Sequence, residues 1–474
     1  MAILKFVFIC LEVLMLFNVL IFVHELGHFW AARWRGLKAE RFAIWFGKPI
    51  WSKTIGGVEY ALGWIPCGGY VSLPQMAPME MIEGKSEEGD AKPLPQISVA
   101  DKIIVAFAGP LFSFLLAIVF AVLVWAIGRP VSESETTTTV GYVVKDGPAD
   151  KAGLKAADKI LEVDGHPVTK FGGMGSSITW RVVRSEGVTV PIKFERDGQI
   201  RTLDVTPVKP ATKLFQRRAL REIQIEPAQT PIVAFTFTNS PAYAAGLRRF
   251  DEVVEANGRK LVHYGQVAEI VGASGTNAVS LKVRRGDSEF TLSVTPEKPV
   301  TPPELKAMLG ISWVSGGKMA MAHPSPLDQV SAGINAMGNT LGALFAKGSD
   351  IGVQHLSGAV KILNIYYLLF ESEQGWRMAL WFSVVMNVNL AILNMLPLPV
   401  LDGGHILLAV IEGIRRRPVS HAVLNFIQSG CAIALICFMV FVTFFDGQEL
   451  FRSRTKDPEP QFSPKTLITP VLRN

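Results

Sequence analysis

The sequence predicts a polytopic α-helical membrane protein: four transmembrane helices, a membrane-associated β-hairpin region, and two α+β modules outside the membrane. Three observations carry this expectation. Of the 474 residues, 49% are hydrophobic and only 19% are charged, and the apolar residues gather in four blocks near the length of about 20 helical residues needed to cross a bilayer core. Between the second and third blocks lies a β-rich region that repeats itself. Between the first two, a short alternating stretch reads as strand. This balance excludes disorder over most of the chain. The formal charge of +6 comes without a dense Lys/Arg tract, so no nucleic-acid partner is expected. Cys10, Cys67, Cys431 and Cys437 show no ligand-like spacing and leave the middle of the chain without cysteine. A disulfide framework is excluded there.

The first block runs from about Phe6 to Ala32. It is too long for the apolar part of a signal peptide and ends in His and Glu, not in a small-residue cleavage site. The second runs from Ile103 to Ile127, the third from about Trp376 to Leu398, and the fourth from Val423 to Phe445. Arg33, Arg35, Lys38 and Arg41 follow the first block, and Arg415, Arg416 and Arg417 separate the third from the fourth. The positive-inside tendency places both clusters in the cytoplasm. The N-terminus, the region 128–375 and the tail 446–474 then fall outside. The expected partition is a first span (1–32), a cytoplasmic-side loop with the β region (33–102) and a second span (103–127). Two modules (128–212 and 213–300) and an extracytoplasmic linker (301–375) follow. The third span (376–404), a cytoplasmic-side segment (405–422), the fourth span (423–445) and the tail complete the chain.

The modules carry a duplication. Pro148, Ala149, Ala152, Gly153, Leu154, Asp158 and Gly165 recur 93 residues later as Pro241, Ala242, Ala245, Gly246, Leu247, Asp251 and Gly258. A fixed offset of this kind marks a tandem repeat. A strand, a short PAxxAGL helix, and Asp turning through Asp/Asn-Gly into another strand resemble PDZ domains. Such domains bind extended peptides by strand addition; two spacer domains without a ligand are the alternative. PDZ domains usually have Gly before the Asp, where this chain has Ala157 and Phe250. Beyond the repeat, Pro326–Lys347 has Leu327, Val330, Ile334, Met337, Leu341, Leu344 and Phe345 at helical spacing. This fits a helix packed on a domain core or one lying on the outer membrane surface.

The chemistry sits at the end of the first block, in His24-Glu25-Leu26-Gly27-His28. On a helix, i,i+4 spacing brings both imidazoles to one face, where they can share a metal ion. Glu25 lies beside them, placed to act as a base toward water. Ionisable groups are costly within a span. His28 is only about 7.5 Å of helical rise before Arg33, so the motif lies near the cytoplasmic end. Catalytic zinc normally takes a third protein ligand. The candidate is Asp402, in the stretch Asn394-Met395-Leu396-Pro397-Leu398-Pro399-Val400-Leu401-Asp402-Gly403-Gly404-His405, which also reaches the cytoplasmic end. Pro397 and Pro399 break the helix, and the two glycines are expected to let the chain turn sharply after Asp402. His405 competes as a ligand, and Asp402 as a helix cap is a further alternative.

His24-Glu25-x-x-His28, Ala108-Gly109-Pro110, the PDZ-like repeats, Leu356-Ser357-Gly358 and Asn394-x-x-Pro397-x-Pro399-x-x-Asp402-Gly403 together resemble the site-2 protease family, most of all its bacterial RseP type. The resemblance implies an intramembrane zinc endopeptidase with one Zn2+ per chain. Its partners would be the lipid bilayer of a bacterial inner membrane, peptide ligands of the PDZ domains, and single-pass transmembrane substrates. Anti-sigma factors already trimmed outside the membrane and remnant signal peptides are the usual substrates of that type. It makes His24, His28 and Asp402 the zinc ligands and Glu25 the general acid/base. Asn394 becomes an oxyanion donor, and Asn389, Pro397, Pro399 and Gly47 would contact substrate. The stretch from Arg41 to Val71, with turns expected at Gly56-Gly57 and Gly68-Gly69, matches a sheet that clamps an extended substrate. PDZ domains between the second and third spans would exclude substrates with intact outer domains. The chain departs from the family pattern at Trp45, where Gly is usual, and at Ser113, where Asn often stands. A membrane-anchored PDZ scaffold with a structural metal is the rival reading. A metal transporter is disfavoured, since no other span carries a second ligand set.

Overall fold

The computed structural model describes residues 2–76, 97–213, 216–302, 304–346, 349–417, 419, 421–454 and 459–463. The chain divides into two units, one of residues 1–129, 323–338 and 356–447, the other of 130–322, 339–355 and 448–474.

In the first unit, four helices among the described residues are long and apolar enough to cross a membrane: Ile3–Trp34, Val99–Ile127, Gly375–Asn394 and Val423–Arg452. The second begins at Val99 because Ser98 and Asp101 form a reciprocal capping box, which satisfies first-turn N–H groups that the apolar run alone would leave bare. The third stops at Asn394, ten residues short of its expected end at 404. The two prolines interrupt the helix, and a new one, Asp402–Arg415, starts after them. Asp402 and the two glycines thus open a helix where a sharp turn was expected. A short helix at Ala359–Glu371 also forms inside the expected linker. Leu20 of the first span, Ala117, Phe120 and Ala121 of the second, and Val384 and Val388 of the third form one buried cluster. Tyr366 of the short helix is fully buried and its hydroxyl is 2.9 Å from Ser383 Oγ of the third span.

The stretch after the first span is a hairpin of Arg41–Ile55 and Val58–Ser72. Its turn is Gly56-Gly57, both with positive φ, as a two-residue hairpin loop requires. At the second expected turn, Gly68 and Gly69 are both part of the second strand, but Gly68 takes φ 73 and the strand reverses its direction between residues 62 and 69. The sheet thereby folds back on itself. Residues 41–44 pair with 59–62 on one side and with 69–72 on the other. Phe42, Val58 and Val71 join Phe29 and Ala32 of the first span and Val105 and Ala106 of the second in a shared core.

The second unit shows the duplication in three dimensions. Strands Val140–Val143, Lys159–Val163 and His166–Pro167 recur as Val233–Thr236, Glu252–Ala256 and Arg259–Lys260. Each module has a four-stranded antiparallel sheet with the same strand order, and a separate strand pair. In the first module that pair is Val140–Val143 with Ile225–Pro227, and in the second Val233–Thr236 with Ile311–Trp313. Each module therefore takes its last strand from beyond its expected boundary at 212 or 300, because that strand covers the core: Ile225 packs against the cluster of Val140, Ile160 and Phe194, and Ile311 and Trp313 against that of Val253 and Val283. One ion pair is also duplicated. Asp158 holds Arg196 at 2.6 Å, and Asp251 holds Arg285 at 2.6 Å. Each arginine also donates to a glycine carbonyl, Gly153 or Gly246. The helix expected at 326–347 spans Pro326–Phe345; Lys347 lies outside the described residues.

Candidate metal centre

The first span is helical from Ala2 to Trp34, so His24 and His28 project from one face. Their Nε2 atoms lie 3.4 Å apart. The opening of the Asp402–Arg415 helix brings Asp402 to the same point. Its Oδ2 is 3.3 Å from His24 Nε2, and its Oδ1 is 3.4 Å from His28 Nε2. All three residues are buried. Tetrahedral zinc with ligand bonds of about 2.0–2.2 Å separates its ligand atoms by about 3.3–3.5 Å. The triangle of side chains has those dimensions. Asp402 Oδ2 has no hydrogen-bond partner among the described residues, which is costly for a buried carboxylate oxygen unless it binds a cation. The donor set fits zinc.

The surrounding sequence makes room for this triangle. A Cβ at Gly109 would lie 2.1 Å from His28 Nε2, so only glycine allows the second span to pass close beside the metal-facing nitrogen of the imidazole. Cβ atoms at Gly403 and Gly404 would strike the carbonyl oxygens of Met395 and Leu398 at 2.3 and 2.0 Å. The proline-containing turn can therefore pack directly under the first turn of the helix that carries Asp402.

Both imidazoles are oriented from behind. His28 Nδ1 lies 2.8 Å from the Val105 carbonyl, and His24 Nδ1 lies 3.0 Å from Ser113 Oγ. A carbonyl only accepts, so His28 Nδ1 carries the proton and Nε2 presents its lone pair. Neither outer partner was singled out from sequence as a support for the ligands. For Ser113 a signal existed, since it is the departure that follows Ala108-Gly109-Pro110. For the Val105 carbonyl there was none, because any residue carries one.

Glu25 lies on the side of the helix that meets the hairpin. A Cβ at Gly69 would be 3.1 Å from Glu25 Cγ, so the second strand packs against the Glu25 side chain at Gly69. Asn394, the last residue of the third span, places its amide Nδ2 3.2 Å from His24 Nε2. His405 is in the first turns of the helix that Asp402 opens and is not in the ligand cluster. Asn389 lies within the third span and its Oδ1 is buried without a partner among the described residues. Pro397 is exposed and Pro399 half-buried in the turn. Gly47 takes φ 90 beside the Trp64 indole. Among the described residues, no hydrogen bond joins these four to the metal ligands.

The model of peptidase family M50 matches residues 12–439. The chain belongs to this family. It is similar to the regulator of sigma-E protease RseP of Salmonella typhimurium, 29% identical over 460 residues, covering 91% of this chain and 97% of that one. Its namesake from Escherichia coli is 29% identical over 454 residues, with 91% and 97% covered. A Neisseria meningitidis chain named as a candidate zinc metalloprotease is 29% identical over 444 residues, with 90% and 96% covered. This M50 peptidase is a zinc-dependent metalloendopeptidase of the site-2 protease type, and a membrane protein. The scaffold reading falls with that assignment.

Proposed function

We propose that this chain cleaves peptide bonds inside single-pass transmembrane segments, at a site near the cytoplasmic face of a bacterial inner membrane. The observation that carries the reading is the His24–His28–Asp402 triangle, whose two histidines sit on a helix apolar enough to span a bilayer and whose carboxylate opens the helix that follows the third such span. The arginine clusters flanking the first and third spans support the sidedness. The names of the RseP relatives support regulatory substrates of the anti-sigma type, and remnant signal peptides fit the same chemistry.

In this reading His24 and His28 present Nε2, and Asp402 a carboxylate oxygen, to Zn2+. Bound zinc supplies Lewis acidity and lowers the pKa of water toward neutrality. Glu25 takes the proton of the attacking water and returns it to the departing amine. The Asn394 amide donates to the scissile carbonyl oxygen as negative charge grows on it. A helical substrate shields that carbonyl within its own hydrogen bonds, so it must be extended before attack. Segment 69–72, which meets Glu25 at Gly69, is suited to hold it so, with Gly47, Asn389, Pro397 and Pro399 further along the path. We read the duplicated modules as extracytoplasmic PDZ domains that bind peptides or exclude bulky substrates; the repeated strand order and PAxxAGL helices support this.

Glu25→Gln separates catalysis from metal binding. It should leave zinc content at one ion per chain and lower cleavage of a model transmembrane peptide in detergent by at least a hundredfold. Turnover equal to the wild type would sink the hydrolytic assignment of Glu25.

A further inference from the structure

The second module carries a contact that the peptidase chemistry does not use. Glu459–Ser463, from the tail beyond the fourth span, lies against the loop that leads into strand Ile311–Trp313. Val300 N–H donates to the Gln461 carbonyl at 2.7 Å, and Gln461 N–H donates to the Thr301 carbonyl at 2.8 Å. Thr301 and Gln461 thus form an antiparallel bridge. The next residue, Phe462, is only 7% exposed. Its ring sits where Gly310 lacks a side chain: a Cβ there would be 3.0 Å from Phe462 Cε2 and 2.3 Å from Ser240 Cβ. Gly310 also has φ 73, and its carbonyl accepts from Ser240 Oγ at 3.2 Å. The seat is therefore a built one. A glycine in the left-handed region, a helix-capping serine and an extended loop backbone meet an aromatic ring and two backbone hydrogen bonds.

These are the elements of recognition by strand addition, in which main-chain bonds supply affinity and a side-chain seat supplies specificity. We propose that the Val300–Thr301 backbone and the Gly310 seat form a binding site for an extended, aromatic-bearing peptide segment, and that the chain's own Glu459–Ser463 is its resident occupant. Held by one bridge and one ring, the tail is a short ligand favoured by being part of the same chain as its site. A better extended segment can displace it. The site is thus masked in cis and opens by competition.

The test uses the full chain in detergent, as wild type and Phe462→Ala. Hydrogen exchange at the Val300 amide should be at least tenfold faster in the variant. A fluorescein-labelled peptide of residues 459–463, titrated up to millimolar concentration, should bind the variant at least tenfold more tightly than the wild type and restore protection at Val300. Equal Val300 exchange in the two proteins overturns the cis contact. Faster exchange without peptide binding to the variant, or equal peptide binding to both, overturns the site. Neither readout involves cleavage, so the result stands apart from the peptidase reading.

Discussion

Ser113 stands where the family resemblance leads one to expect Asn, and its hydroxyl lies 3.0 Å from His24 Nδ1. It is buried completely, so no water can replace it without rearrangement. Ser113→Ala should weaken zinc binding by about 10–100-fold, measured by competition with a chelator. An unchanged zinc affinity would show the bond to be incidental. Other departures from the pattern keep the backbone of the residue they replace. Trp45, Ala157 and Phe250 stand where Gly is usual, and all three take positive φ, at 67, 75 and 70. A side chain in that region costs about 1 kcal/mol, and at Trp45 the indole N–H offsets it by donating to Asn18 Oδ1 in the first span. Glycine's conformation persists there without glycine.

Among the elements not legible in the sequence is the helix Ala359–Glu371, although its start lies in Leu356-Ser357-Gly358. It has no cap of its own, since its N-cap is Gly358. The cap comes from the fourth span: Asp446 Oδ2 accepts from the Gly358 and Lys361 amides at 2.9 and 3.2 Å. A Cβ at Gly358 would lie 2.8 Å from that oxygen, so glycine lets the carboxylate reach the helix end. Asp446 is buried, and its charge answers the positive end of the helix. Asp446→Ala should destabilise the protein by about 1–2 kcal/mol, seen as a lower thermal midpoint in detergent at fixed zinc. An unshifted midpoint would mean that other groups carry the helix start.

At the scale of the whole chain, duplication explains most of the second unit, and the two copies diverge in what they bury. His263 of the second module is fully buried, and burial pushes its imidazole down to about 4. The Glu226 carboxylate is 3.0 Å from its Nε2 but is 45% exposed, so solvent screens that attraction and burial wins. The neutral ring accepts the Gly265 N–H at Nδ1 over 3.0 Å. Because the unfolded chain binds this proton near pH 6.5 and the folded module only near 4, stability is complete above pH 6.5 and is lost as pH falls toward 4. Between pH 7.5 and 5 the module should lose on the order of 1 kcal/mol, read from urea melts. His263→Gln should flatten that slope; an equal slope in the variant would assign the pH dependence to other groups.

The periodicity of apolar blocks, the i,i+4 histidines and the 93-residue repeat are local patterns, so the chain order alone determined the spans, two of the candidate ligands and the existence of two modules. The proline-broken stretch also pointed to Asp402 as a third ligand. What the order of residues could not determine depends on atoms distant in sequence. The fold-back of the hairpin onto Glu25, the hydroxyl behind His24, the carboxylate that caps Ala359–Glu371 and the tail seated at Gly310 each join segments that no spacing relates. Where the third span ends was also decided in three dimensions. Apolar residues continue to Leu401, but two prolines stop the backbone hydrogen bonds, and close packing of Gly403 and Gly404 under the Met395 and Leu398 carbonyls starts the next helix at Asp402.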